Sequence, residues 1–133
     1  MIATPIVVKM ADTTTNITYD VLTGAGGDST PAVFRYNGNT NTPLGLRAQL
    51  RVVTQWNGPK TARQLKFNFF YPHLMFDNNT STYMSKDRVL IEGLVVIPQG
   101  IPTFSIAEAA HQGLNLLASS AIKEAAITGY SPT

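Results

Sequence analysis

LRAQLRVVTQWNGPKTARQLKFNFFYP, residues 46–72, is the stretch that decides the fold. Leu46, Ala48, Leu50 and Val52 alternate with Arg47, Gln49, Arg51 and Val53, the period of two of a half-buried strand. Asn57-Gly58-Pro59 is a turn signal. After it Leu65, Phe67, Phe69 and Tyr71 alternate with Gln64, Lys66, Asn68 and Phe70, and Pro72 closes the pattern. The stretch predicts two antiparallel strands around a tight turn. One face is apolar, and the other collects Arg, Gln, Lys and Asn.

Working outward, TPIVVKM (4–10) and NITYDVL (16–22) are β-rich and joined by the polar ADTTT, which predicts an N-terminal hairpin within residues 1–22. TGAGGDSTP (23–31) is a loop by composition, AVFRYNG (32–38) a short strand, and NTNTPLG (39–45) a turn-rich link. HLMFDNNTSTYMS (73–85) has a polar, flexible centre and predicts a long loop, and KDRVLIEGLVVIP (86–98) predicts a third long strand ending at Pro98. The sheet region is thus 32–98. Ser105-Ile106-Ala107-Glu108 has the form of a capping box. Ile106, Ala109, Ala110, Gly113, Leu116 and Leu117 follow at helical spacing. Ser120 is placed to cap a second short helix and Gly129 to stop it, so two helices occupy 105–128. Strands followed by helices predict an α+β fold rather than alternating βαβ units, in one domain spanning 1–133.

Composition sharpens the question of function. Of 133 residues 44% are apolar and only 14% charged, against about 25% charged in an ordinary soluble domain. In a chain so poor in charge much of the outer surface is expected to be either polar and uncharged or buried against other chains. There is no cysteine, which removes disulfides, thiolate nucleophiles and zinc–thiolate sites. No apolar run approaches the roughly 18 residues of a membrane span, and the N-terminus does not resemble a signal peptide. Residues 35–88 hold eight Lys or Arg and two acids, a balance of +6, while the remainder carries −4. A basic middle points to a polyanionic partner.

These features in this order resemble the coat proteins of the single-stranded RNA bacteriophages, the leviviruses. The resemblance covers nearly the whole chain. It rests most on the strand ending in Tyr71-Pro72, the strand ending in Ile97-Pro98 and the helix containing Gln112-Gly113-Leu114. It implies an N-terminal hairpin, a five-stranded antiparallel sheet and two C-terminal helices, in an intertwined dimer whose helices lie across the partner's sheet. Dimers would assemble in the bacterial cytoplasm into a T=3 icosahedral shell, the virion. The open face of the sheet would bind a genomic RNA hairpin, packaging the genome and repressing replicase translation. A phage maturation protein would be a further partner. Carried over by strand and parity, the RNA-binding positions are Arg47, Gln49 and Arg51, then Lys66 and Asn68 with Gln64 beside them, then Leu90 and Glu92. The last pair departs from the family, where a stacking aromatic and an amide are typical. The loop from His73 to Tyr83, with Asp77, Asn78, Asn79 and Thr80, would make contacts between dimers.

Other readings of the same residues are weaker. Arg47, Gln49 and Arg51 on an alternating strand are compatible with a merely solvated face. A cellular RNA-binding β-module would be expected to show stacking aromatics on its strands. No convergent acid, base or nucleophile marks an enzyme. His73 and His111 lie in different elements, and Asp87 and Glu92 have opposite parity on one strand, so neither a metal site nor a catalytic pair is expected. No cofactor is implied.

Overall fold

The computed structural model describes residues 2–38 and 42–133. Six strands, β1 (Ile6–Lys9), β2 (Asn16–Thr23), β3 (Ala32–Tyr36), β4 (Gln49–Trp56), β5 (Ala62–Asp77) and β6 (Thr82–Pro98), form one antiparallel sheet in chain order. The N-terminal hairpin is therefore part of the sheet, which has six strands rather than the five expected beside a separate hairpin. Two helices, α1 (Thr103–Leu117) and α2 (Ser120–Thr128), follow. The chain divides into two compact units, residues 1–96 and 97–133.

The register sorts the side chains by chemistry. Leu50 lies opposite Phe69 and Val52 opposite Phe67, while Arg51 faces Asn68 and Gln55 faces Gln64. On the next strand Phe34 pairs with Leu50 and Ala32 with Val52. Tyr19, Phe34 and Ala48 are buried, with Ile17, Val21, Tyr36, Leu50, Val52 and Phe69 packed against them. All of these belong to one face, the core face. Within this cluster the Tyr19 ring stands 5.8 Å from Tyr36, tilted by 40°, and edge-on to Phe69 at 6.1 Å, the second a favourable aromatic geometry. Burial pushes the Tyr19 hydroxyl pKa up. At the far end of this face Arg63 forms a two-pronged ion pair with Asp28, both bonds 2.8 Å, and lies over the Trp56 ring at 5.0 Å. This ties the 24–31 loop to the sheet, helped by the Ser29 amide donating to the Thr54 carbonyl at 3.0 Å.

Turns are held by side chains as much as by glycine. At the β4–β5 turn the Asn57 carboxamide oxygen accepts from the amides of Thr61 (2.8 Å) and Ala62 (3.2 Å). The left-handed residue there is Lys60, at φ 57°, not Gly58. At the β1–β2 turn the Asp12 carboxylate accepts from the amides of Thr14 and Thr15 and from the Thr15 hydroxyl.

Three expectations are corrected. The 73–83 segment is not a long loop. β5 runs through Pro72 to Asp77, and only residues 78–81 form the turn. His73 and Asp77 are strand residues; Asn78, Asn79 and Thr80 lie in the turn. Pro72 is tolerated because pairing with β4 ends at Phe70, so its missing amide breaks no bond of that ladder. Second, β4 begins at Gln49. Leu44–Leu46 form a 3-10 turn, and Arg47 precedes the strand. Third, the capping box does not form. α1 starts two residues earlier, with the Pro102 carbonyl accepting from Ser105 and Ile106, while Glu108 accepts from Gln112 one turn on. Likewise Ser119, not Ser120, is the N-cap of α2, and its side chain makes no capping bond. Gly129 does end α2, at φ 81°, its amide donating to the Ala125 carbonyl at 2.8 Å.

On β6 a Cβ placed on Gly93 would collide with the Phe67 ring. Gly93→Ala is expected to destabilise the fold by about 1–3 kcal/mol through overpacking, and Phe67→Leu to recover part of that loss. A double-mutant cycle by urea denaturation checks it; additive effects would show that the two residues do not meet. The hydrogen bonds to Asp12, first that from the Thr15 hydroxyl, hold its pKa down to about 2. A depressed carboxyl stabilises the turn above its ordinary pKa, and the effect is lost as pH falls through about 2. The Asp12 carboxyl carbon shift, followed by NMR, is expected to titrate near that value, and Thr15→Ala to raise the midpoint.

Candidate nucleic-acid interface

The face opposite the core is built by the same alternation. On β4 it carries Gln49, Arg51, Val53 and Gln55, and on β5 Gln64, Lys66, Asn68 and Phe70. On β3 it carries Arg35, opposite Gln49, and Val33, opposite Arg51. On β2 it carries Asp20, opposite Arg35. β6 joins the same scheme through two contacts. Gly93 meets Phe67 on the core face, and the Arg88 guanidinium lies over the Phe70 ring at 5.7 Å on the polar face. Alternation between them places Leu90 and Glu92 on the polar face with Arg88.

Read along the register, the cations fall on a diagonal. Arg35 on β3 is level with Gln49, Arg51 on β4 is one step further, and Lys66 on β5, level with Val53, is one step beyond that. Each step is a diagonal cross-strand neighbour, about 7–8 Å. Arg51, Lys66 and Asn68 are exposed, and Gln49, Gln55 and Gln64 are half-buried beside them. Among the described residues, neither Arg51 nor Lys66 has an ion-pair partner. Such a face can neutralise a row of phosphates with its cations and present amides to base edges between them.

Arg47 joins the patch by a different route from the strand position expected for it. Its guanidinium donates to the Thr42 carbonyl (3.1 Å) and to the Asn37 carboxamide oxygen (2.8 Å), which brings it to the polar face beside Arg35. Sequence reading missed Arg35, Asn37 and Arg88. Parity alone places Arg35 on one side of β3, but only the β3–β4 register shows which side. Glu92 and the exposed Leu90 interrupt the basic stripe at its β6 end. The expected inter-dimer residues lie apart from this patch, His73 and Asp77 on β5 and Asn78, Asn79 and Thr80 in the β5–β6 turn. Beside that turn Phe76 and Tyr83 meet edge-on at 5.2 Å and line a shallow recess with Pro43, Ser81 and Thr82.

Comparison with known proteins gives a consistent answer on fold. The chain is similar to the virus-like particle protein of bacteriophage NT-214, with 12% identity, 98% of each chain covered and a TM-score of 0.79. It is similar to the bacteriophage EMS014 coat protein, with 15% identity over 98% of this chain and 99% of that one and a TM-score of 0.78. The bacteriophage GA capsid protein gives 15% identity, 96% and 95% coverage and a TM-score of 0.74. The fold is the phage coat-protein fold. No family model matches the chain, and no curated protein matches it by sequence. At this identity the side chains have diverged while the fold has not.

Proposed function

We propose that the chain is the coat protein of an RNA bacteriophage, forming a shell from copies of itself and holding the genome on the polar face of its sheet. The observation that carries this reading is the coincidence of two features: the phage coat-protein fold over nearly the full length, and a diagonal of cations, without ion-pair partners among the described residues, across the face of the sheet opposite the core. Through Gln49 and Asn68 the same face would select one RNA hairpin, the basis for packaging and for repression of the replicase. A maturation protein is the further partner this reading adds. The solvated-surface alternative accounts for the alternation of polar residues but not for the alignment of cations from three strands.

The folding unit of this reading is a dimer. β6 is an edge strand of 17 residues with Val89, Ile91, Leu94 and Val96 about half exposed or more. A long apolar edge left open is an aggregation hazard, and pairing with β6 of a second copy closes it. Neither helix has a buried residue; Phe104, Leu116 and Ile127 are 73%, 68% and 84% exposed. Apolar helix residues in that state need another chain to cover them.

Assembly and RNA binding both test the proposal. The recombinant protein is expected to form closed particles by electron microscopy, and dissociated particles to sediment as dimers. Leu116→Asp combined with Leu117→Asp is expected to abolish the dimer. A stable folded monomer of the parent would overturn the dimer reading. On the polar face, Arg51→Ala with Lys66→Ala is expected to lower the slope of log K against log salt for a 20-mer of uridylate by about 1.4, two phosphate contacts on a single strand. Gln49→Ala or Asn68→Ala is expected to leave that slope alone. Either would cost about 1–3 kcal/mol of discrimination among stem-loops selected from a random-loop library. An unchanged slope in the double variant would mean that the basic face is only solvated surface.

A further inference from the structure

At one end of the cation diagonal the side chains form a network that the strand pattern does not explain. Asp20 and Arg35 are direct partners across the β2–β3 ladder, an arrangement that invites an ion pair, yet among the described residues none forms between them. Instead the Asp20 carboxylate accepts from the Asn37 side-chain amide at 3.2 Å. That bond turns the carboxamide so that its oxygen points at the two arginines. Arg35 Nε donates to it at 3.0 Å and an Arg47 terminal nitrogen at 2.8 Å. Both donors sit on one oxygen, so they are no more than about 6 Å apart. Both arginines and Asn37 are half-buried, which strengthens the repulsion between the two cations. Two positive charges are thus held side by side by a neutral acceptor, with one carboxylate a bond further away.

We propose that Arg35 and Arg47, aligned by Asn37 and Asp20, form a fork that grips one phosphate of the bound RNA backbone. This rests on the proposed RNA-binding role of the polar face and deepens it. Among the described residues Arg35 bonds only through its Nε, which leaves both of its terminal nitrogens for an anion, and Arg47 keeps one. Paired guanidiniums suit the tetrahedral oxygens of a phosphodiester. The fork continues the diagonal of Arg51 and Lys66 onto β3, so it would hold the strand of RNA that leaves those two residues. A phosphate between the arginines also removes their mutual repulsion. Asn37 is a positioning residue here: it touches the arginines rather than the RNA.

The test is fluorescence anisotropy with a labelled 20-mer of uridylate between about 50 and 200 mM salt, using dimers dissociated from particles. Arg35→Gln and Arg47→Gln are each expected to lower the slope of log K against log salt by about 0.7, one single-strand phosphate. The double variant should lower it by the same amount, because the two side chains share one phosphate. Asp20→Asn, an exposed and nearly isosteric change, removes the competing carboxylate and is expected to tighten binding about fivefold at the low-salt end. A slope unchanged by either single variant overturns the fork, and so does a fall of about 1.4 in the double variant, which would mean two separate phosphates. Should the arginine variants fail to fold, Asp20→Asn decides: unchanged or weaker binding overturns the proposal. The Arg51→Ala, Lys66→Ala protein separates the two levels. If it loses slope while Arg35→Gln does not, the fork alone is wrong; if the parent shows no salt-dependent binding, the RNA-binding reading of the whole face falls with it.

Discussion

The pairing register of β4 and β5 is the constraint on which the rest of the molecule depends. Side chains alternate with a period of two, so a slip of one residue would send Arg51 and Lys66 into the core and Leu50 and Phe69 to solvent. The opposed pairs Val52–Phe67 and Leu50–Phe69 make that slip costly. The Asn57 side chain, bonded to two amides across the turn, pins the same register from the end of the hairpin. From this hairpin the register passes outward through Phe34 on β3 and Tyr19 on β2, whose rings close the core. It passes to β6 through the Phe67 ring over Gly93. A glycine in a strand interior is ordinarily a weakness; here it makes room for an aromatic from the neighbouring strand.

The two faces of the sheet are consequences of this one alignment. A core face that is continuous across strands forces the intervening positions into a second continuous face, where residues far apart in sequence become neighbours. Arg35, Arg51 and Lys66 come from three strands and line up only because the registers of both ladders agree. The charge that is scarce in the chain as a whole is thereby concentrated on one face of the sheet.

Much of this was legible in the sequence. The α+β order, both long strands, the polar and apolar parities of residues 49–56 and 64–70, and the stop at Gly129 follow from local periodicity and from the chemistry of glycine. Alternation and turn chemistry are local properties, so a single sequence determines them. The resemblance to phage coat proteins was carried by the same local features in order, and the fold agrees with it.

What only the tertiary structure decided depends on neighbours. Pro72 reads as a strand end in sequence, but β5 continues because the β4 ladder has already stopped at Phe70. Ser105 and Glu108 have the spacing of a capping box, but the chain enters α1 from Pro102, placing them inside the first turns instead of across the helix start. Arg47 reads as a strand residue, and the structure bends the chain before it and ties its guanidinium to Asn37, ten residues back. That contact, like the side of the sheet on which Arg35 lies, is set by cross-strand register. Register is a relation between two segments, and no periodicity within either one contains it.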